Sequence, residues 1–162
     1  MTLMTRSEIK LRKNRGDSYV DYKGNLIPAR HMKPLLDTCR KSCKTKFDDN
    51  YRQSLFNTFW KLKDYSAKVL FICKLINVCE KKYDRRRNLD HPSRRQFTYQ
   101  YHLNTNEEMC KICFCNTFDV SDDFTKLAIQ KSMNNLIPTD NRGGHNRKIP
   151  KKNNSKTAIL KK

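Results

Sequence analysis

The residues of this chain best suited to chemistry are its seven cysteines. Cys39 and Cys43 are separated by three residues, and Cys110, Cys113 and Cys115 form a CxxC step with one further thiol. Such short separations fall within zinc-ligand spacing. The segment TCRKSCKTK around the first pair is too polar for core burial to account for both thiols, and its Lys and Arg residues favour the thiolate form. A structural zinc held by Cys39, Cys43, Cys110 and Cys113 is the expected cofactor. The spacing also admits sets that draw on His31, Cys73 or Cys79. The plain alternative is that Cys73, Cys110 and Cys113 are ordinary buried thiols on helix faces. An odd cysteine count argues against a fully paired disulfide scaffold. No apolar run at the start suits a signal peptide, and none reaches the roughly 18 to 20 residues a membrane span needs. The expectation is an intracellular chain with reduced thiols and no membrane partner.

Charge is the second chemical signal. The chain has 162 residues, 35 Lys and Arg against 16 Asp and Glu, and a formal net charge of +19. Self-repulsion on this scale favours an anionic partner, most commonly a nucleic-acid backbone. One basic run holds Arg85, Arg86, Arg87, Arg94 and Arg95. The other is the tail from Asn141 to Lys162, with eight basic residues, including Arg147, Lys148, Lys151 and Lys152, and no acidic one. These nine residues are the expected phosphate contacts. No nucleophile motif and no glycine-rich phosphate loop is present. Asp64, Asp84 and Asp90 read as junction or loop residues rather than a metal-binding triad, so catalysis by this chain alone is not expected.

The elements that would position these groups follow from periodicity. YVDYKGNLIP over 19–28 suggests short strands around a Lys23-Gly24-Asn25 turn. Tyr51, Leu55, Phe56, Phe59, Trp60 and Leu62 give a helical stripe over 49–63, with Asp48 or Asp49 as cap. Val69 to Val78 suggests a second helix over 66–81, antiparallel to the first and facing it across the core. Phe97, Tyr99, Tyr101 and Leu103 alternate as the buried side of a strand. A short helix to Phe118, a turn at Asp119-Val120 and a helix from the N-cap Ser121 to Met133 complete the pattern.

That last pair resembles a helix-turn-helix unit. Its second helix would point Thr125, Lys126 and Gln130 outward, with Gln130 suited to adenine and Lys126 to guanine or phosphate. Asp122 and Asp123 would oppose phosphate at the helix entry. The expected fold is mainly α with a minor β element. It has a flexible basic arm over 1–18, a mainly helical domain over 19–137 and a disordered basic tail over 138–162.

The order of short motifs adds a resemblance. Gly16-Asp17-Ser18-Tyr19, Gly24-Asn25-Leu26-Ile27-Pro28-Ala29-Arg30, and Cys39 with Cys43 come first. Phe56-Asn57-Thr58-Phe59-Trp60-Lys61-Leu62, the strand ending in Leu103, and Cys110-Lys111-Ile112-Cys113-Phe114 follow. Asp119-Val120-Ser121 and Asn141-Arg142-Gly143-Gly144-His145 complete the series. Over roughly residues 12 to 150 the chain resembles the N-terminal region of a large group of transposon-derived, transposase- or integrase-like proteins repeated across insect genomes. The resemblance implies a DNA-attachment module in the nucleus, with chemistry in a downstream domain and this chain a fragment or shortened copy. Lys46 and Phe47 stand near the place where that group has a third cysteine. The competing functions are RNA binding through the basic-aromatic stretch 85–101, and a protein-interaction module with a basic nuclear-import tail.

Overall fold

A computed structural model describes residues 4–81, 96–104 and 107–134. Helix α1 is Arg6–Arg15, followed by strands β1 (Tyr19–Val20) and β2 (Leu26–Ile27). The single turn α2 (Cys43–Lys46) leads to helices α3 (Asp49–Lys61) and α4 (Tyr65–Lys74). Strands β3 (Ile76–Glu80), β4 (Phe97–His102) and β5 (Glu108–Met109) precede helices α5 (Lys111–Phe118) and α6 (Asp122–Met133). About half of the described residues are helical, so the mainly helical reading holds. Arg85, Arg86, Arg87, Arg94, Arg95, Arg147, Lys148, Lys151 and Lys152 lie outside the described residues.

Local chemistry starts the helices where the sequence places them. The Asp48 carboxylate accepts from the Tyr51 N–H, that of Asp64 from Ala67, and the Ser121 hydroxyl from Phe124. Each satisfies one of the N–H groups that a helix start leaves unpaired. The β1–β2 hairpin forms as expected, pairing Tyr19 with Ile27. Gly24 takes a φ of +86°, the left-handed conformation that glycine adopts without cost.

The second expected helix is shorter than the pattern suggests. It ends at Lys74, and Ile76 to Glu80 pair antiparallel with β4, Val78 opposite Tyr99 and Ile76 opposite Tyr101. The β-branched Ile76 and Val78 suit a pleated surface, and the partner strand decides the outcome. Strand β5 closes the sheet with Met109 opposite Tyr101. The two helices do not make the main core by facing one another. Helix α3 packs chiefly on α5, and α4 on α6.

A chain of rings joins these layers. Phe59 sits 5.3 Å from Phe118 between ring centroids, Phe118 5.1 Å from Phe114, and Phe114 5.2 Å from Tyr101 on the sheet. Val69, Ile72, Met109, Ala128 and Ile129 fill the surrounding space.

Arg52 crosses this core with no exposed surface. Its Nε donates to Thr117 Oγ1 at 3.0 Å and its Nη2 to the Lys33 carbonyl at 2.7 Å, tying α3 to α5 and to the segment before α2. Its ionic partner Asp49 is 78% exposed, so removing Arg52 strands no buried carboxylate. The cost is lost packing and two deprived acceptors. Arg52→Ala is expected to lower the unfolding free energy by about 3 kcal/mol, with Arg52→Lys recovering less than half. Denaturant midpoints check this, and a loss under about 1 kcal/mol would mean that water replaces the guanidinium.

Residues 1–18, expected as a flexible arm, contain helix α1. Thr5 and Glu8 form a reciprocal capping box, and Gly16 ends the helix at φ +78°. A side chain at Gly16 would strike the Trp60 ring, because its Cβ would lie 2.5 Å from a ring carbon. The Arg30 N–H donates to the Gly16 carbonyl at 2.7 Å.

Candidate metal centre and basic surface

The segment between β2 and α3 has little regular structure and is held by side chains. The Lys33 N–H donates to the Asn116 carbonyl at 2.9 Å, and Asn116 Nδ2 donates to the Pro34 carbonyl at 3.0 Å. Lys41 pairs with Glu108 on β5. Ser42 takes a φ of +50°, turning the chain so that Cys43 opens α2 pointing inward. Cys110 occupies the N-cap of α5, which places Cys113 one turn later on the same side.

These constraints bring Cys39, Cys43, Cys110 and Cys113 together, with all four Sγ atoms within 4.8 Å of one another. A tetrahedral zinc with bonds near 2.3 Å needs sulfurs about 3.8 Å apart, so small adjustments close the site. Cys39 Sγ and Cys43 Sγ lie 3.4 Å apart. Two backbone donors already serve the sulfurs: Cys110 N–H to Cys43 Sγ at 3.3 Å, and Cys113 N–H to Cys110 Sγ at 3.4 Å. Such second-sphere bonds orient and partly neutralise thiolate ligands.

The thiols do not titrate alike. The Cys43 backbone N–H leads in pulling the Cys39 thiol down to about 6. Burial pushes Cys43 up to about 11 and Cys113 up further still. Without a cation, Cys39 gives up its proton more readily than the buried Cys43 and Cys113. A divalent ion overrides that order, since coordination deprotonates thiols outright. The donor set therefore fits a closed structural metal site.

The other candidate ligands are elsewhere. Cys73 Sγ donates to the Ala128 carbonyl at 3.1 Å, Cys79 Sγ contacts Gln100 Oε1 at 3.3 Å, and His31 is exposed outside the cluster. The plain alternative holds for Cys73; Cys113 is likewise fully buried on a helix face, and together with Cys110 it also belongs to the four-sulfur cluster. The polar surroundings of the first pair also misled in one respect, because Cys43 is fully buried, against Phe47 and the α5 residues. Asp64 is a helix cap, which accounts for it without a metal. Asp84 and Asp90 lie outside the described residues. Among the described residues, these four cysteines are the cluster that could hold an ion.

The α5–α6 pair exists with the expected boundaries, but its outward face differs. Thr125 is buried, its hydroxyl returned to the Asp122 carbonyl at 2.7 Å. Lys126 is 61% exposed, with its Nζ 2.9 Å from Asp122 and 3.3 Å from Asp123. Those two carboxylates raise its pKa above the ordinary lysine value. Asp122 also pairs with Lys111. Gln130 is exposed, beside a groove shared with Tyr99, Ile129 and Met133.

A larger open groove of about 620 Å³ lies over β4, lined by Phe97, Tyr99 and Tyr101 with Lys41 and Lys111 at its edges. Sequence reasoning missed the basic helix α1 and the buried Lys68. Lys68 Nζ sits 3.5 Å from the centre of the Trp60 ring and donates to the Asn14 carbonyl at 2.5 Å.

No protein-family model, curated protein or solved structure matches this chain. No helix among the described residues is long and apolar enough to cross a membrane.

Proposed function

We propose that this chain is a DNA-binding module derived from a transposable element, acting in the nucleus and without catalytic activity of its own. The observation that carries the reading is how the carboxylates are used. In the described residues most of them serve the fold: Glu8, Asp48 and Asp64 cap helices, and Asp119 holds Arg30 and Lys33. Glu108 and Asp122 pair with neighbouring lysines. Among the described residues 21 Lys and Arg still outnumber 13 Asp and Glu, and the rest of the chain's surplus of +19 lies outside them. A phosphate backbone is the partner that offsets a dispersed field of this kind.

The motif order set out above supplies the transposon-derived reading, and the metal cluster suits a small module that needs a clasp. On this reading Arg85, Arg86, Arg87, Arg94, Arg95, Arg147, Lys148, Lys151 and Lys152 supply phosphate contacts, and Lys126 and Gln130 are the base readers. Purified chain is expected to bind random duplex DNA in preference to heparin or single-stranded RNA. The logarithm of affinity should fall linearly with the logarithm of salt. A salt-independent affinity would sink the electrostatic basis.

One observation favours a second reading. Aromatic side chains over β4, edged by Lys41 and Lys111, resemble a stacking platform for single-stranded RNA. Tyr101 is buried against Phe114, so Tyr99 is the informative ring. Tighter binding to single-stranded RNA than to duplex, lost in Tyr99→Ala, would favour this reading over DNA.

A further inference from the structure

The four clustered sulfurs do not stand alike toward solvent. Cys43 and Cys113 have no exposed surface, whereas Cys39 and Cys110 are half-buried. An oxidant arriving from water meets Cys39 or Cys110 first, because thiol oxidation follows exposure. Which of the two can go on to a disulfide depends on the sulfur behind it and on how firmly the backbone is held.

Behind Cys39 lies Cys43, with the two Sγ atoms 3.4 Å apart. A disulfide bond is about 2.05 Å long, so these sulfurs need to close by roughly 1.3 Å. The chain between them is one turn, in which the Ser42 N–H donates to the Cys39 carbonyl at 2.9 Å. Ser42 holds its φ of +50° at a steric cost, and both Arg40 and Ser42 are exposed, so this turn can shift without disturbing packed neighbours. Cys110 and Cys113, a CxxC step at the start of α5, are the rival pair. Their backbone is committed to the helix: the Phe114 N–H donates to the Cys110 carbonyl at 3.0 Å, and Thr117 Oγ1 donates to the Cys113 carbonyl at 2.9 Å. Phe114 between these contacts belongs to the ring chain of the core.

We propose that the metal centre is a peroxide-sensitive clasp, opened when hydrogen peroxide joins Cys39 to Cys43 in a disulfide. The inference rests on the metal reading of the four sulfurs and adds its regulation. The Cys39 sulfur attacks one peroxide oxygen, the O–O bond breaks, and Cys39 becomes a sulfenic acid. The hydroxide released takes a proton from solvent and leaves as water. The Cys43 sulfur then attacks the Cys39 sulfur, forming the S–S bond and expelling a second hydroxide, which also leaves as water. Two electrons pass from the two sulfurs to the peroxide oxygens. Only Cys110 and Cys113 remain as thiolate donors, too few for a closed structural site.

The test treats the full chain, loaded with zinc, with a small excess of hydrogen peroxide. A chromogenic chelator follows metal release, and mass spectrometry after alkylation of the remaining thiols maps the disulfide. The parent is expected to release about one zinc ion per molecule in step with a Cys39–Cys43 disulfide. Dithiothreitol with added zinc should restore metal content and the thermal transition. Cys73→Ala/Cys79→Ala/Cys115→Ala, which removes the thiols outside the cluster, should hold zinc and release it within about twofold of the parent's rate. Cys39→His offers a fourth ligand that cannot form a disulfide, and should slow release by at least about tenfold.

A parent that keeps its zinc while Cys73, Cys79 or Cys115 oxidises overturns the clasp and leaves the metal site standing. Release with a Cys110–Cys113 disulfide, or with no disulfide, overturns the assignment to Cys39 and Cys43. A reduced parent that takes up no zinc overturns the metal reading and the clasp with it. If Cys39→His does not hold zinc, the disulfide map of the parent decides alone.

Discussion

Replacing Cys43 with serine is expected to abolish zinc binding and, with it, the cooperative fold. Native chain should carry one zinc ion per molecule, lost together with tertiary structure on chelation. The reason lies in how residues 31–47 are held. Among them only the single turn α2 is regular, yet Cys43 and Phe47 are core residues and Leu35 and Cys39 pack on that core. A metal held by the four sulfurs would crosslink this segment to α5, adding to the hydrogen bonds that join Lys33 and Pro34 to Asn116. Apparent zinc affinities of about 10 to 16 kcal/mol in small structural sites exceed the net stability of most domains of this size. The metal-free state is therefore expected to lose at least about 5 kcal/mol and to show no sharp thermal transition. Cys73→Ala, whose thiol lies outside the cluster and donates to the Ala128 carbonyl, should keep its zinc and cost about 1 kcal/mol. Metal analysis, thiol titration and calorimetry on the three proteins decide the matter. Seven freely titrating thiols in a protein that still melts at the native temperature would exclude a structural metal.

The same cluster marks what could be read from sequence and what could not. The spacing of Cys39 with Cys43, and of Cys110 with Cys113, made these residues candidate ligands without choosing among the possible sets. Spacing could not remove His31, Cys73 or Cys79 from the candidates. That needed the tertiary path that carries Cys73 to α6 and leaves His31 exposed. Helix α3, the aromatic strand β4 and the Ser121 cap were legible because period and cap agree there.

Residues 75–80 failed for the opposite reason. Leu75, Ile76 and Val78 fit a helical stripe and a strand alternation equally well, and the partner that settles them is β4, some twenty residues on. Helix α1 carried its own signals in Thr5, Glu8 and Gly16. The segment has so little apolar content that periodicity reported nothing, and the Trp60 contact that secures it is long-range. Thr125 and Arg52 were hidden by a rule that is usually right, that polar side chains on a helix face water. Each is buried because its polar atoms find partners, one within its own turn and the other across the core.

Phe59→Ala is the core substitution expected to do most damage, at about 4 kcal/mol. Phe59 has no exposed surface and lies where every layer meets. Its ring touches Trp60 beside it, Phe71 on α4, Phe118 on α5 and Phe124 on α6, at centroid distances of 5.3, 5.7, 5.3 and 6.4 Å. The surrounding rings are too rigid to collapse into the space, so the transfer term and the cavity term both apply. Trp60 would lose its edge contact, and it also supports Gly16 and the Lys68 ammonium, so the damage should reach α1. Hydrogen exchange would then rise in residues 6–16 as well as in α3. Tyr22→Ala serves as the comparison: that ring is 84% exposed at the hairpin tip, and its loss should stay within about 0.5 kcal/mol. A small Phe59 effect confined to α3 would mean that the ring chain does not couple the layers, and that α1 is secured by its capping residues alone.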